Sequence, residues 1–330
     1  MIKNESRVSI IIPTYNRLEL LKVAIDSCLR QTHRSIEVLV VDDGSTDGTV
    51  DYLRSVSFPS DQTFHWAEQA NQGPSVARNR GLEMSSGAFI KYLDSDDALD
   101  DKAIENYVRS IERFDVDCCI GAKRSMSPEG RVWQTKTYVP PEVRIDDPLH
   151  AFFDLKIRPQ QGQWCFRRSV FGSGVRWNEE LRAREDTDIL ARILLAGARV
   201  CGSPDAIYHQ RYHDGPRVSA GQFLPGVSEA IYQSNLELYR QIVERDELER
   251  YGRRFARALS RTALRLWETN QNEAIRYYKL AQKCYGRPEL VLLADYSPMT
   301  RFAAYALWSC AGLRVCGELF KFRNRIKQSR

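Results

Sequence analysis

An α/β fold is predicted, a mostly parallel sheet flanked by helices and followed by a helical C-terminal region. Three observations predict it. Nearly unbroken apolar runs of strand length ("VSIIIP", "IEVLVVDD", "AFIKYLD") recur along the first half, as strands buried on both faces do. Amphipathic helical segments separate them. From about Leu224 Pro and Gly become sparse, and helical periodicity dominates to about Tyr285.

The elements follow in order. "VSIIIP" is a strand. "RLELLKVAIDSCLRQ" places Leu18, Leu21, Ala24 or Ile25, Cys28 and Leu29 on one helical face. "IEVLVVDD" is a second strand, and "GSTDGTVDYLRSV" a turn and helix with Ser45 or Thr46 as N-cap. "TFHWAE" is a short strand. "GPSVARNRGLEMSSG" reads as a helix with Gly81 inside it and Gly87 ending it. "AFIKYLD" and "DDKAIENYVRSIERF" are the next strand and helix. Strands alternating with helices argue for a parallel sheet covered on both faces, with ligands beyond the carboxyl ends of its strands. The acidic clusters Asp42-Asp43 and Asp94–Asp97 fall there. Further on, "DVDCCIGAKRS" and "RVWQTKTYV" read as strands, "PLHAFFDL" as a short helix, and "GQWCFRRSVF" as a strand running into a helix. "REDTDILARILLAG" is an amphipathic helix closed by Gly197, and "ARVCGSPDAIYHQRYH" supplies one or two strands. The division expected is a domain over 1–220 and a helical region over 221–330.

The 330 residues suffice for a sizeable core. The net charge of +5 resides in residues 314–330, where six basic residues face Glu318 alone. A basic tail on a neutral body fits an anionic partner surface, lipid or nucleic acid, or a solvated terminus. Eight cysteines lack any C-x-x-C pair and read as reduced thiols, so a cytoplasmic location is expected. The N-terminus has no signal-peptide architecture, and no apolar stretch approaches the roughly 18–20 residues that span a bilayer. "AIRYYKLAQKC" resembles a tetratricopeptide helix, but no fixed period supports a repeat. Arg254, Arg257, Arg261 and Arg265 share a helical face, either solvated or a functional basic stripe.

The stretch "YLDSDDALDD" gathers five aspartates after a buried strand. Asp94 and Asp96, at i and i+2 on a strand end, point the same way and could reach one hard cation through oxygen ligands. Asp100 and Asp101 are expected to open the following helix, where carboxylates favour the N-terminus. Asp97 fits either group.

"VSIIIPTYNR", "VLVVDDGSTDGT", "NQGPSVARNRGL", "FIKYLDSDD" and "NEELRAREDTDILARILLAG" stand in the order and spacing of family-2 glycosyltransferases, which this chain resembles over residues 7–215. The resemblance implies the GT-A (Rossmann-like) fold and inverting transfer of a sugar from a nucleotide diphosphate, usually UDP. It implies that Pro13, Thr14 and Tyr15 lie against base and ribose. Asp43 would accept a hydrogen bond from the base, which suits the N–H edge of uracil. Arg78 would face the diphosphate. Asp94 and Ser95 would lie toward the donor and Asp96 would be the firmer metal ligand, with Mn²⁺ or Mg²⁺ as cofactor. His213 falls where some such enzymes carry a late histidine near the metal, and His209 is a weaker candidate for that role. Asp186 would be the base that takes the acceptor's proton, with Glu185 orienting it. Asp188 does not share their face and reads as structural. Trp164 reads either as a sugar-stacking platform or as core. The acceptor implied is a glycan or a lipid-linked molecule, so an anionic membrane surface is the partner expected of the basic tail and no nucleic-acid partner is expected. Peripheral attachment at the inner face of the cell membrane follows from that. Competing readings are a catalytically silent domain that binds glycans or a partner, and a nucleotidyltransferase. The second would need a glycine-rich basic loop where "PTYNR" stands.

Overall fold

The computed structural model describes residues 6–127, 131–154, 156–157, 160–172, 174–212, 227–266 and 270–286. The chain divides into two compact units, 1–227 and 228–330.

In the first unit β1 (Val8–Thr14), α1 (Leu18–Leu29), β2 (Ile36–Asp42), α2 (Thr49–Ser55), β3 (Thr63–Glu68), α3 (Pro74–Met84) and β4 (Phe89–Tyr92) follow one another. These four strands pair in parallel in the order β3-β2-β1-β4, with Thr14 opposite Asp42 and Ile11 opposite Tyr92. Every residue of β1, β2 and β4 is buried, the condition that their apolar runs report. Leu21, Ala24, Ile25 and Cys28 seat α1 on the sheet.

Next come β5 (Ala98–Leu99), α4 (Ala103–Phe114), β6 (Cys118–Met126), β7 (Val132–Tyr138), β8 (Arg144–Ile145) and α5 (Pro148–Phe153). A 3₁₀ turn (Gln161–Gln163) leads into β9 (Trp164–Arg167); after a second such turn come α6 (Glu185–Leu195) and β10 (Val200–Arg211). The α/β class is as expected, and the unbroken run of parallel strands is that of the first half. Beyond β4 the sheet turns mixed: β9 runs antiparallel to β4 and β6, while β10 rejoins β6 in parallel. The sheet reaches ten strands.

Three local expectations are corrected. Helix α2 starts at Thr49 behind Gly48, and Asp47 rather than Ser45 or Thr46 holds its first turn, accepting from the Thr49 amide and hydroxyl. Asp47 also caps α1 by accepting from Leu18 N at 2.9 Å. Helix α3 stops at Met84, and Gly87 lies beyond it, its amide donating to Ser9 and Glu37. Of the two acids expected to open α4, Asp100 does so, its carboxylate accepting from Lys102 N at 3.4 Å, and it lies 3.8 Å from His209, whereas Asp101 is drawn away to Arg30 at 3.1 Å.

The second unit contains α7 (Val227–Glu244), α8 (Leu248–Leu266) and α9 (Gln271–Cys284), the last holding the "AIRYYKLAQKC" stretch. Phe255, Ala256, Leu259 and Ala263 bury one face of α8, and Arg254, Arg257 and Arg261 lie half-buried on another. Six cysteines among the described residues are buried free thiols. No helix among the described residues is long and apolar enough to cross a membrane. The basic tail and His213 lie outside the described residues.

Candidate active site

A cleft of about 530 Å³ opens at the carboxyl ends of the parallel strands. That volume suits a small-molecule ligand, whose pockets run to roughly 300–1,000 Å³. Pro13, Thr14, Tyr15, Asp43, Arg78, Asp94, Ser95, Asp96, Glu185 and Asp186 all line it.

At its first wall β1 and β2 end in register. The Asp42 carboxylate accepts from the Gly44 and Ser45 amides at 3.2 and 2.9 Å, closing an Asx turn. Asp43 does something else. Its Oδ1 accepts from Gln69 Nε2 and Gln72 N, and its Oδ2 from Gly73 N, each at 2.8 Å. One carboxylate thus shapes the 69–73 loop that enters α3, and it still faces the cleft. Gly73 has φ +94°, and a Cβ there would collide with the Arg182 guanidinium, which donates to Gln72 O at 2.6 Å. Asn16 ties the loops after β1 and β2, its Oδ1 accepting from Thr46 N at 2.7 Å and its own amide donating to Ser45 Oγ.

Beside this wall β4 delivers the acidic run. Carboxylate oxygens of Asp94, Asp96 and Asp97 lie within 4.8 Å of one another. Three like charges so close need compensation. Arg78 Nη2 donates to Asp94 Oδ1 at 2.9 Å, and Arg17 Nη1 to Asp96 Oδ2 at 2.7 Å. Asp97 is bound differently: it is buried, accepting from the Tyr208 hydroxyl and from Arg211 N at 2.9 Å. Burial first, then Asp96 and Asp94, push its carboxyl well above the usual range. Asp94 and Asp96 therefore offer the accessible oxygens and Asp97 anchors the run to β10. A set of hard carboxylate oxygens suits Mg²⁺ or Mn²⁺, and these residues fit such an ion.

The far wall is the start of α6, whose N-cap Arg184 is left-handed at φ 60°. Burial, then the neighbouring Glu185 charge, push the Asp186 carboxyl up to about 7, although Thr187 N donates to it at 2.7 Å. Glu185 is buried and accepts from Arg78 Nη1 at 3.4 Å. Arg78 thus lies between the β4 carboxylates and the α6 pair. Asn79 fixes the approach to α6, donating to Trp177 O at 2.9 Å and accepting from Trp177 N at 2.8 Å. Asp188 pairs with Arg192 one turn on, a structural role as its position predicts.

Trp164 is fully buried and stacked parallel to Phe166, a core residue and not a sugar platform. His209 is buried beside Asp100 and does not line the cleft. Sequence reasoning misses Arg17, Gln160, Gln161, Arg184, Gln210 and Arg211, which do. It also misses Lys91, fully buried on β4 beneath the acidic run. Burial lowers its ammonium to about 8. The signal for Arg17 is its place in "PTYNR", and that for Lys91 is a lone cation in an apolar strand.

Residues 9–173, half the chain, match the sequence profile of glycosyl transferase family 2. The chain belongs to this family. An uncharacterized glycosyltransferase of Rickettsia felis is 39% identical to this chain over 192 residues. The match covers 54% of this chain and 30% of that protein, so the chain spans less than a third of that relative. Among solved structures, residues 1–349 of S. aureus TarS in complex with UDP-GlcNAc superpose with a TM-score of 0.70 at 20% identity, covering 91% of this chain and 87% of that fragment. The mannosyltransferase PcManGT from Pyrobaculum calidifontis, in complex with GDP-Man and Mn²⁺, superposes at 0.53 with 18% identity, covering 98% of this chain and 81% of that one. At such identities the likeness concerns the fold, which is GT-A in this family 2 chain as well.

Proposed function

We propose that the chain transfers a sugar from a nucleotide diphosphate donor, a UDP-sugar, to a hydroxyl of a glycan or lipid-linked acceptor, with inversion and with the help of a divalent cation. The observation that carries the reading is Asp186: a carboxyl poised near neutrality, in one cleft with Asp94 and Asp96. Inversion needs a single base to take the acceptor's proton, and a base works best when its pKa lies near the working pH. Asp186 fills that role and Glu185 orients it. Pro13, Thr14, Tyr15 and the Asp43 loop receive base and ribose. Arg78 and Ser95 face the diphosphate, and Asp94 and Asp96 hold Mn²⁺ or Mg²⁺, which supplies Lewis-acid neutralisation of the leaving phosphate. His213 is retained from the sequence as a further ligand candidate. Family membership and the nucleotide-sugar complexes of TarS and PcManGT support the donor class.

Residues 1–220 carry the chemistry in this reading, and 221–330 serve the acceptor side. The basic C-terminal tail, read from sequence, meets an anionic membrane at its cytoplasmic face. Deleting residues 298–330 then releases the protein from anionic liposomes; unchanged pelleting would count against membrane contact.

The central test incubates the full chain with Mn²⁺, a panel of UDP- and GDP-sugars, and glycan or lipid-linked acceptors. Release of nucleoside diphosphate that needs both acceptor and cation is expected. No release with any donor, together with no cation-dependent UDP binding, would sink the reading.

A further inference from the structure

We infer that Gln161 reads the sugar being transferred, pairing the two ends of its side-chain amide with adjacent hydroxyl groups on the sugar ring. This rests on the donor reading above and extends it to a part of the cleft that neither the base nor the diphosphate would fill.

Gln161 lines the cleft, yet it is only 3% exposed. Neither its Oε1 nor its Nε2 has a hydrogen-bond partner among the described residues. A buried amide with both ends orphaned is costly, and native proteins keep few of them. The two other glutamines of this wall are engaged. Gln160 Oε1 accepts from Lys123 at 3.2 Å and its Nε2 donates to the Tyr208 hydroxyl, while Gln210 Oε1 accepts from Lys123 at 3.0 Å. Gln161 alone of the three presents one donor end and one acceptor end without a partner.

The amide sits on a turn built to be rigid. Gln163 N donates to Gln160 O at 3.1 Å, and the Tyr107 hydroxyl to Gln163 O at 2.8 Å. The buried Lys91 ammonium donates to Gly162 O and, at 3.1 Å, to Trp164 O. Position 162 must be glycine because any Cβ would meet the Tyr208 ring at 2.3 Å. Lys91, which the proposed chemistry does not otherwise use, thereby positions Gln161.

The sheet order assigns the ligand. From β2 through β1 to β4 the strand ends carry Asp43, then Pro13 to Tyr15, then Asp94 and Asp96. The next strand is β9, antiparallel to β4 with Lys91 opposite Cys165, so its beginning stands beside the carboxyl end of β4. A donor laid with its base over β1 and β2 and its diphosphate at β4 brings its sugar to that beginning, where Gln161 stands. A side-chain amide both donates and accepts, which matches neighbouring hydroxyls that do the reverse.

The test titrates the full chain and its Gln161→Leu variant, in Mn²⁺, with UDP, UDP-glucose, UDP-galactose and UDP-N-acetylglucosamine. The variant should bind UDP within about twofold of the wild type and lose roughly tenfold or more for the preferred UDP-sugar, as when a built hydrogen bond loses its partner. Single-deoxy versions of that donor keep the readout independent of how well the variant folds. One of them should lose a similar factor in the wild type and nothing further in Gln161→Leu. Equal losses for UDP and UDP-sugar would overturn the inference. So would unchanged sugar-donor affinities in the variant, or wild-type indifference to every deoxy donor. Failure of the wild-type chain to bind UDP at all would overturn the donor reading itself, and the inference with it.

Discussion

The guanidinium carbon of Arg78 lies 4.5 Å from the ring centroid of Trp177, a cation held over an aromatic face. From that position its nitrogens reach both Asp94 and Glu185. One buried cation therefore ties the strand that ends in acids to the helix that carries Asp186. Arg78→Lys keeps the charge but not the planar fork. It should lower kcat/KM by about 10–100-fold, and Trp177→Leu by a smaller factor, both read from nucleotide release. Arg78→Met, which leaves the buried Glu185 and the partly exposed Asp94 unpaired, should also destabilise the fold by roughly 1–3 kcal/mol in denaturant titration. A fully active Arg78→Lys enzyme would show that the bridge is dispensable.

Asp186 gives a pH signature. Its carboxyl, raised to about 7, is mostly protonated below neutrality, so the rate should climb through pH 7 and level off above it. Asp186→Asn should cost about 10²–10⁴-fold in kcat, leaving UDP binding intact. Stability runs the other way. Between pH 4 and 7 the folded chain holds a proton that the unfolded chain has lost, so this group makes stability fall as pH rises. Asp186→Asn should accordingly be more stable than wild type at pH 8, by roughly 1–4 kcal/mol. An equal or lower melting temperature would contradict that.

The acidic run predicts a cation requirement. Chelation should reduce turnover at least about 100-fold, and added Mn²⁺ or Mg²⁺ should restore it. Asp96→Asn should raise the Mn²⁺ concentration needed for half-maximal rate. Arg17→Ala removes a cation 2.7 Å from Asp96 and should lower it. Turnover indifferent to chelator would remove the cation from the mechanism.

Asp43 predicts a loop effect. Asp43→Ala strips acceptors from the amides of Gln72 and Gly73, and a buried amide left unpaired costs about 1–3 kcal/mol. The variant should melt lower, exchange amide hydrogens of residues 69–73 faster, and bind UDP more weakly. Weakened UDP binding with unchanged exchange would mean that Asp43 touches the nucleotide without shaping the loop.

The parallel half of the fold is legible because strands buried on both faces write unbroken apolar runs, as β1, β2 and β4 do. The acidic run and the start of α6 are legible as motifs. What stays hidden is set by contacts distant in sequence. Asp101 reads as a helix opener until Arg30, 71 residues away, takes it. Asp47 holds two helix starts, one of them through a loop. Asp97 is separated from Asp96 by a tyrosine 111 residues downstream. Gln161 leaves no pattern, because an amide side chain carries no charge and fits no period.

The reversal of β9 gives the sheet a seam. On one side lie four parallel strands, among whose tips stand Asp43, Tyr15, Asp94 and Asp96; on the other, a turn of a few residues fixed from below by Lys91. Because the seam runs between them, the side chain at position 161 can be exchanged without altering the register of β1, β2 or β4, while Gly162 stays fixed beneath the Tyr208 ring. On the proposed donor reading such a scaffold is modular, and new sugar preferences would be grafted onto an unchanged nucleotide half by changing one side chain of that turn.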